Sequence, residues 1–237
     1  MKHEHCHNAV STGIPKSAGA VIMIHQYQIR GNNHQRLSGR SKTELYKNLL
    51  QPHFLFNSLN NLYAISIHRS EQIPQAIAEL SQLLEQIVTY ARMDLIPLSE
   101  EIRLVKDYLS LEKIWLGETF FCADLQVKGD TAEFFIPPMT IYTLVENAFK
   151  HGVRRFGNGA WITVHLTVKE DRVLLKIRNP VGKDRTPAGE HSASQTGLGI
   201  EAVRKMLEGS YRKRYLLDVR SIGDVFAVDL MICRNAA

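Results

Sequence analysis

The spacing of apolar residues changes near Gly117, and this change constrains the fold more than any other feature of the sequence. Residues 41–117 carry apolar side chains at helical spacings of three, four or seven, as in Leu45, Leu49 and Phe56. Beyond Gly117, β-branched and aromatic residues alternate in five short segments, which predict strands at 120–127, 161–168, 172–178, 215–221 and 225–232. The sequence therefore predicts a helical region, 41–117, followed by a mixed domain, 118–237.

Helical patterns also occur within both regions. A third helix of the first region is predicted to start at Ser99 as its N-cap, with Glu100 and Glu101 at the positive end of its dipole. Two helical segments, 139–151 and 198–208, interrupt the strands without strict alternation, which favours an α+β sandwich. The polar segment 183–196 is predicted to be a long loop.

Composition and charge exclude several classes of function. The 237 residues include 29 Lys and Arg against 24 Asp and Glu, a formal net charge of +5. The one basic run, 212–214, reads as a solvated turn, so we expect no nucleic-acid partner. No segment reaches the ~18–20 apolar residues needed to span a bilayer. Widely spaced cysteines predict free thiols in a reducing compartment, and hence a cytoplasmic location, at Cys6, Cys122 and Cys233.

Residues 1–40 have weak periodicity and are rich in Gly, Asn, Ser and His, which predicts a poorly ordered lead-in. Their short apolar stretch, 18–24, is either the remnant of a membrane or sensor segment, or an amphipathic or disordered lead. The sequence leaves these alternatives open.

A proline and a histidine stand side by side in the segment 51–60, which reads QPHFLFNSLN. Helical spacing places His53 and Asn57 on a polar stripe, opposite Leu59 and Tyr63. A neutral imidazole, with an ordinary pKa of about 6.5, is an available nucleophile near pH 7. The alternative is a helix N-terminus with Pro52 in its first turn and a surface histidine.

A second chemical segment, 144–152, reads LVENAFKHG. On a helix, Asn147 and Lys150 share a face, and an amide oxygen suits Mg²⁺ while an ammonium group offsets phosphate charge. Glu146 is placed to orient a water or an acceptor. The alternative is an amphipathic helix that ends at a C-cap, Gly152.

Two segments with glycines complete the pattern. Gly197 and Gly199 are predicted to open a helix, where backbone amides approach phosphate. Asn179 and Gly182 follow a predicted strand, where a polar side chain reads the amino group of adenine. Each segment alone is equally explained by a simple turn.

The order of these segments resembles the GHKL (Bergerat) ATP-binding fold. The block at 51–60 resembles the phosphoacceptor box of the LytS/YehU-type histidine kinase family, and the segments 97–101, 108–112 and 136–138 are similar to the spacer of that family. The resemblance covers about residues 41–232. It implies a helical phosphoacceptor and dimerisation region followed by an α/β sandwich that binds ATP.

The resemblance also implies roles for individual residues. His53 would be the phosphoacceptor, with Asn57 and Glu146 as catalytic partners, and Asn147 would bind Mg²⁺. The remaining nucleotide-binding positions would be the phosphate neighbours Lys150 and His151, the adenine-recognition turn with Asn179 and Gly182, and Gly197 and Gly199, which would hinge an ATP lid at 183–196.

Partners follow from the same resemblance: ATP, Mg²⁺, a second copy of the chain, and a response regulator, of LytTR type, that accepts phosphate on an aspartate. The family often has Asp at the position of Asn179 and Asn at the position of Ala202, so nucleotide binding is expected to be weaker here. A degenerate kinase acting as a non-catalytic, nucleotide-binding dimer is the alternative. An ATPase using water is a second rival, which the intact block around His53 argues against.

Overall fold

Two helices form a hairpin at the start of the described chain. The structure is a computed structural model, and it describes residues 52–68, 70–117, 119–181 and 193–234. The hairpin consists of α1 (Pro52–His68), a 3-10 turn (Ser70–Gln72) and α2 (Ile73–Tyr90). The buried apolar residues of α2 recur at helical spacing: Ala76, Leu80, Leu83, Ile87 and Tyr90.

A third helix starts differently from the sequence prediction. The short strand β1 (Ile96–Pro97) leads into α3 (Leu98–Leu116), whose N-cap is Pro97 without any side-chain cap. Ser99 therefore lies inside the helix, and the predicted N-cap is wrong. Neighbouring backbone supplies the missing partners, because the amides of Leu98 and Ser99 donate to the carbonyls of Phe134 and Thr131 at 2.7 and 3.3 Å.

Strands and helices then follow in mixed order. They are β2 (Phe121–Lys128), β3 (Phe135–Ile136), α4 (Thr140–Ala148), a π turn (Phe149–Val153), α5 (Arg154–Phe156), β4 (Ala160–Val168), β5 (Arg172–Pro180), α6 (Ala193–Tyr211), β6 (Tyr215–Ile222) and β7 (Val225–Cys233). The five strands predicted from the sequence are confirmed within two residues at each end. The pairing of Ile96 with Ile136 between β1 and β3 was not predicted, because two residues are too few to show alternation.

The five longer strands form one sheet in the order β2-β4-β5-β7-β6. β2 runs parallel to β4, and the other neighbours are antiparallel. Alternate residues of the central strands are buried beneath the helices, as in Ile162, Val164 and Leu166 of β4. This confirms the expected α+β class.

Helix α4 occupies the centre of the helical layer. It packs against α3, α6 and β5, and its residues from Thr140 to Val145 are all buried. Phe149, which follows it, is fully buried and makes edge-to-face contacts with Tyr108 at 5.5 Å and Phe121 at 4.9 Å between ring centroids. One aromatic ring therefore joins α3, the π turn and β2. Within the described ranges, no helix is both long and apolar enough to cross a membrane.

Replacing this central ring tests its contribution to the core. We expect Phe149→Ala to lower the free energy of unfolding by about 3–5 kcal/mol, through lost burial and the cavity left behind. Leu216→Ala is the control, since Leu216 is 60% exposed and its loss is expected to change stability by less than about 0.5 kcal/mol. Urea denaturation followed by circular dichroism measures both values, and equal losses would contradict this account of the core.

Candidate functional site

The segment after α4 does not end where the sequence predicted. The chain remains helical through the π turn and α5, and leaves the helix at Gly157, whose φ is +88°. Gly152 is therefore not a C-cap, and that alternative interpretation is wrong. Gly152 is buried, and a Cβ atom there would lie 2.8 Å from both Cγ of Asn179 and the carbonyl oxygen of Pro180. Glycine is needed because the π turn approaches the end of β5 too closely for any side chain.

Asn179 lies at this contact with one polar atom unpaired. The residue is 1% exposed, and its Nδ2 donates to the carbonyl oxygen of Pro180 at 2.9 Å. Its Oδ1 is buried and has no hydrogen-bond partner within the described part of the chain. A buried acceptor left unpaired costs about 1–3 kcal/mol, so such an atom fits a ligand that brings an N–H donor. The amino group of adenine is a donor of this kind.

Asn147 faces helix α6. Its Nδ2 donates to the carbonyl oxygen of Thr143 at 2.8 Å, which leaves Oδ1 to act as a ligand. A Cβ atom on Gly199 would lie 2.6 Å from that Nδ2 and 3.3 Å from Oδ1. Gly199 thus allows α4 and α6 to approach each other at Asn147. An amide oxygen is a suitable Mg²⁺ ligand, so the residue fits the role implied by the sequence.

Helix α6 corrects two sequence predictions. It begins at Ala193, so Gly197 and Gly199 lie within the helix and do not open it. Residues 193–196, predicted to be loop, are helical, although they carry no apolar periodicity that would reveal a helix. The hinge role of the two glycines stays a prediction, and Gly182 and residues 183–192 lie outside the described residues. Ala202 is buried in α6, 9% exposed.

Two basic side chains follow Asn147. Lys150 is exposed, and His151 is partly buried, with a buried Nε2 that lacks a partner among the described residues. Burial, together with the positive charges of Arg155 and Lys150, lowers the pKa of His151 to about 4. His151 is therefore neutral at pH 7, and Lys150 supplies the positive charge beside Asn147.

Glu146 faces a different helix from its neighbour Asn147. Burial raises its pKa, Lys150 lowers it, and Glu112 of α3 raises it again. Glu112 accepts two hydrogen bonds from Arg154, at 2.7 and 2.9 Å. Glu146 therefore belongs to a buried charge group between α3 and α4, a position that its sequence neighbours did not reveal. Its predicted catalytic role stays a prediction.

The predicted phosphoacceptor lies on α1. His53 is within the helix, but its side chain falls outside the described residues, while Asn57 is exposed. The structure thus brings Asn147, Lys150, His151, Asn179 and Gly199 together around the π turn, with His53 and Asn57 on a separate helix. Sequence reasoning missed that Glu101 and Glu112 of α3 hold this segment, together with Arg154, because contacts between residues far apart in the chain leave no spacing to detect.

Comparisons with known proteins show similarity to histidine kinases. The family model described as histidine kinase matches residues 41–120. Sensor protein LytS of Staphylococcus haemolyticus is 30% identical over 179 residues, 73% of this chain and 30% of the relative. Sensor histidine kinase BtsS of Escherichia coli is 25% identical over 213 residues, 87% of this chain and 35% of the relative. Residues 41–120 thus match the histidine kinase family, and the chain is similar to LytS-type sensor histidine kinases.

The chain spans about a third of the length of the curated relatives it matches. A solved structure, the histidine kinase AdeS of Acinetobacter baumannii, is similar with a TM-score of 0.44 and 15% identity, covering 94% of this chain and 100% of that one.

Adding one methyl group tests the contact at Gly152. We expect Gly152→Ala to displace Asn179 or the π turn and to lower the melting temperature clearly, because no rotamer relieves a clash with backbone. Gly223→Ala is the matched control, since its methyl meets nothing within 4 Å and its φ of +58° adds only left-handed strain of about 1–2 kcal/mol. Thermal unfolding of both variants is the measurement, and a smaller loss for Gly152→Ala would contradict the close approach.

The lowered pKa of His151 predicts a pH dependence of stability. Between pH 6.5 and about 4 the unfolded chain binds a proton that the folded chain does not, so stability falls as the pH falls through this window. The wild type should therefore lose about 1–2 kcal/mol more than His151→Gln, allowing for partial solvent screening. Urea titrations at pH 7 and pH 4.5 measure the difference, and parallel losses in the two proteins would refute it.

Proposed function

We propose that this chain is the catalytic part of a sensor histidine kinase, which phosphorylates its own His53 from Mg²⁺-bound ATP and passes the phosphoryl group to an aspartate of a response regulator. The match of residues 41–120 to the histidine kinase family, the similarity to LytS and the character of the site support the proposal. By resemblance, the response regulator is of LytTR type. The similar proteins, sensor protein LytS and sensor histidine kinase BtsS, agree with this class of activity.

One observation carries the proposal: the buried, unpaired Oδ1 of Asn179. The Nδ2 of the same amide is occupied by Pro180, so the side chain presents an acceptor to the site. The exocyclic amino group of adenine is the donor that matches it, whereas the oxygen at the same position of guanine would repel it. The site is therefore expected to prefer ATP to GTP.

Charged groups next to this position suit the phosphates. The Oδ1 of Asn147 would hold Mg²⁺, which neutralises phosphate charge when it is bound. Lys150, exposed at the same face of the π turn, would offset further charge, and neutral His151 would contribute a hydrogen bond. By resemblance, Gly197 and Gly199 remain part of the proposal as nucleotide-binding positions, as does Gly182.

The transfer itself is a displacement at phosphorus. A lone pair on an imidazole nitrogen of His53 forms the N–P bond, the bond from the γ-phosphorus to the bridging oxygen breaks, and ADP leaves with that electron pair. The imidazole then releases a proton from its other nitrogen. Asn57, one helical turn from His53, and Glu146 are the proposed partners in this step. Transfer to an aspartate breaks the N–P bond and restores His53.

An uncovered apolar surface on the hairpin supports a homodimer. Leu59, Tyr63 and Ile67 recur one helical turn apart on α1 and are 60, 70 and 60% exposed. Ile77 and Val88 of α2 are 48 and 42% exposed. A second hairpin packed on this surface would remove it from water, which is how two-helix units form four-helix bundles.

Labelling with γ-phosphate-labelled ATP and magnesium tests the kinase proposal. We expect acid-labile, alkali-stable label in the wild type and none in His53→Gln, because a phosphoramidate needs the imidazole nitrogen. His68→Gln, on the same helix, is the matched control and should keep the label.

Two other outcomes support the rivals. Nucleotide binding without label supports the non-catalytic scaffold, which the neutral amide at Asn179 favours because it lacks the charge assistance of a carboxylate. Phosphate release that survives His53→Gln supports an ATPase.

A double-mutant cycle tests the adenine contact. We expect Asn179→Ala to weaken ATP binding roughly tenfold, and purine riboside triphosphate, which lacks the amino group, to bind the wild type about as weakly. The two changes together should cost little more than either alone, because both remove the same hydrogen bond. Calorimetric titration of each pair measures the coupling, and additive losses would show that the two groups do not meet.

A further inference from the structure

Helix α4 is capped by a carboxylate from another helix. Glu101 of α3 is completely buried, and its oxygens accept hydrogen bonds from the backbone amides of Met139, Ile141 at 2.8 Å and Tyr142 at 3.3 Å. These are amides at the start of α4, which have no partner within their own helix. Met139 has a left-handed φ of +67°, a costly conformation for this residue type, at the first of these contacts.

The far end of the same segment is held by a second carboxylate of α3. Glu112, whose side chain is 2% exposed, accepts both hydrogen bonds of Arg154 in α5. Arg154 also lies over the ring of Trp115, 6.0 Å from its centroid. Glu101 and Glu112 are about three turns apart on one helix. They therefore contact the beginning and the end of the segment from α4 to α5.

We infer that Glu101 and Glu112 are positioning residues, through which α3 fixes both ends of the segment 140–156 and thereby the orientation of Asn147 toward a Mg²⁺-bound nucleotide. The inference rests on the proposed function. It assigns no contact with nucleotide to either carboxylate.

Energetics favour a positioning role over a purely stabilising one. Moving a carboxylate into an apolar core is costly, and burial raises the pKa of Glu101 to about 7 despite its backbone hydrogen bonds. Apolar residues of similar volume often stabilise a core as well as buried charges do. An apolar residue cannot direct its neighbours in this way, because the carboxylates align the amides at the start of α4 and the Nη2 group of Arg154 through hydrogen bonds.

The test compares Glu101→Gln with Glu170→Gln, an exposed control in the turn between β4 and β5. A non-hydrolysable ATP analogue is titrated calorimetrically into each full-length protein at pH 8, with and without Mg²⁺. Removing a residue that orients a metal ligand lowers metal affinity on the order of tenfold. We therefore expect Glu101→Gln to bind the analogue about tenfold more weakly when Mg²⁺ is present. Affinity without Mg²⁺ should change much less, and the control should match the wild type.

Amide hydrogen exchange, measured without nucleotide, separates positioning from general destabilisation. We expect faster exchange in Glu101→Gln within residues 139–148 and unchanged exchange in β4, β5 and β7. Should this variant fail to fold, Glu112→Gln replaces it, since glutamine keeps the volume but leaves only one oxygen to accept from Nη2 of Arg154. The same Mg²⁺-dependent loss is expected there.

The outcomes distinguish a failure of the positioning role from a failure of the proposed function. Wild-type affinity in a folded Glu101→Gln, or equal losses with and without Mg²⁺ accompanied by faster exchange throughout the sheet, would overturn the positioning role alone. A wild-type protein that binds no nucleotide would instead overturn the proposed function, and the positioning role with it.

Discussion

The burial of helix α4 on nearly all sides is the constraint on which the rest of the structure depends. A helix in contact with α3, α6 and β5 has no water to complete its ends, so protein groups must do so. Glu101 accepts hydrogen bonds from the first amides of α4. At the other end, the π turn and α5 continue the helical segment to Arg154, which donates to Glu112. The site residues lie between these two anchors, so their geometry is set by α3 as much as by their own helix.

The same burial explains why unpaired polar atoms gather here. Of the eight buried side-chain atoms without partners in the described ranges, three lie on or beside this segment, in Thr143, His151 and Asn179. A folded protein tolerates about 1–3 kcal/mol for each such atom only where something else compensates. A polar ligand bound between the π turn, α6 and β5 would supply the missing hydrogen bonds, and this supports the proposed nucleotide site.

Sequence patterns predicted the elements that short-range periodicity determines. Alternation along residues 161–168 and 225–232 located β4 and β7 to within a residue. The motif order suggested Asn147 and Asn179 as site residues, which stays a prediction. Predictions failed where residues from a distant segment of the chain determine the local structure. Ser99 resembles an N-cap, but the carbonyls of Phe134 and Thr131 accept the hydrogen bonds of the first amides of α3. Gly152 resembles a C-cap, but it allows the close contact with Asn179. Such contacts join residues far apart in the chain and leave no spacing to detect.

The packing of a glycine against an amide side chain occurs twice at the site, and it favours an amide at position 179. Gly152 meets the Nδ2 side of Asn179, and Gly199 meets the Nδ2 side of Asn147, while each nitrogen donates to a backbone carbonyl. Both amides are thus fixed with the oxygen as the remaining ligand atom. A carboxylate at position 179 would turn an oxygen toward the carbonyl of Pro180 and repel it. The amide is therefore the group that this turn accommodates, and its fixed orientation offsets part of the charge assistance that a carboxylate would give adenine.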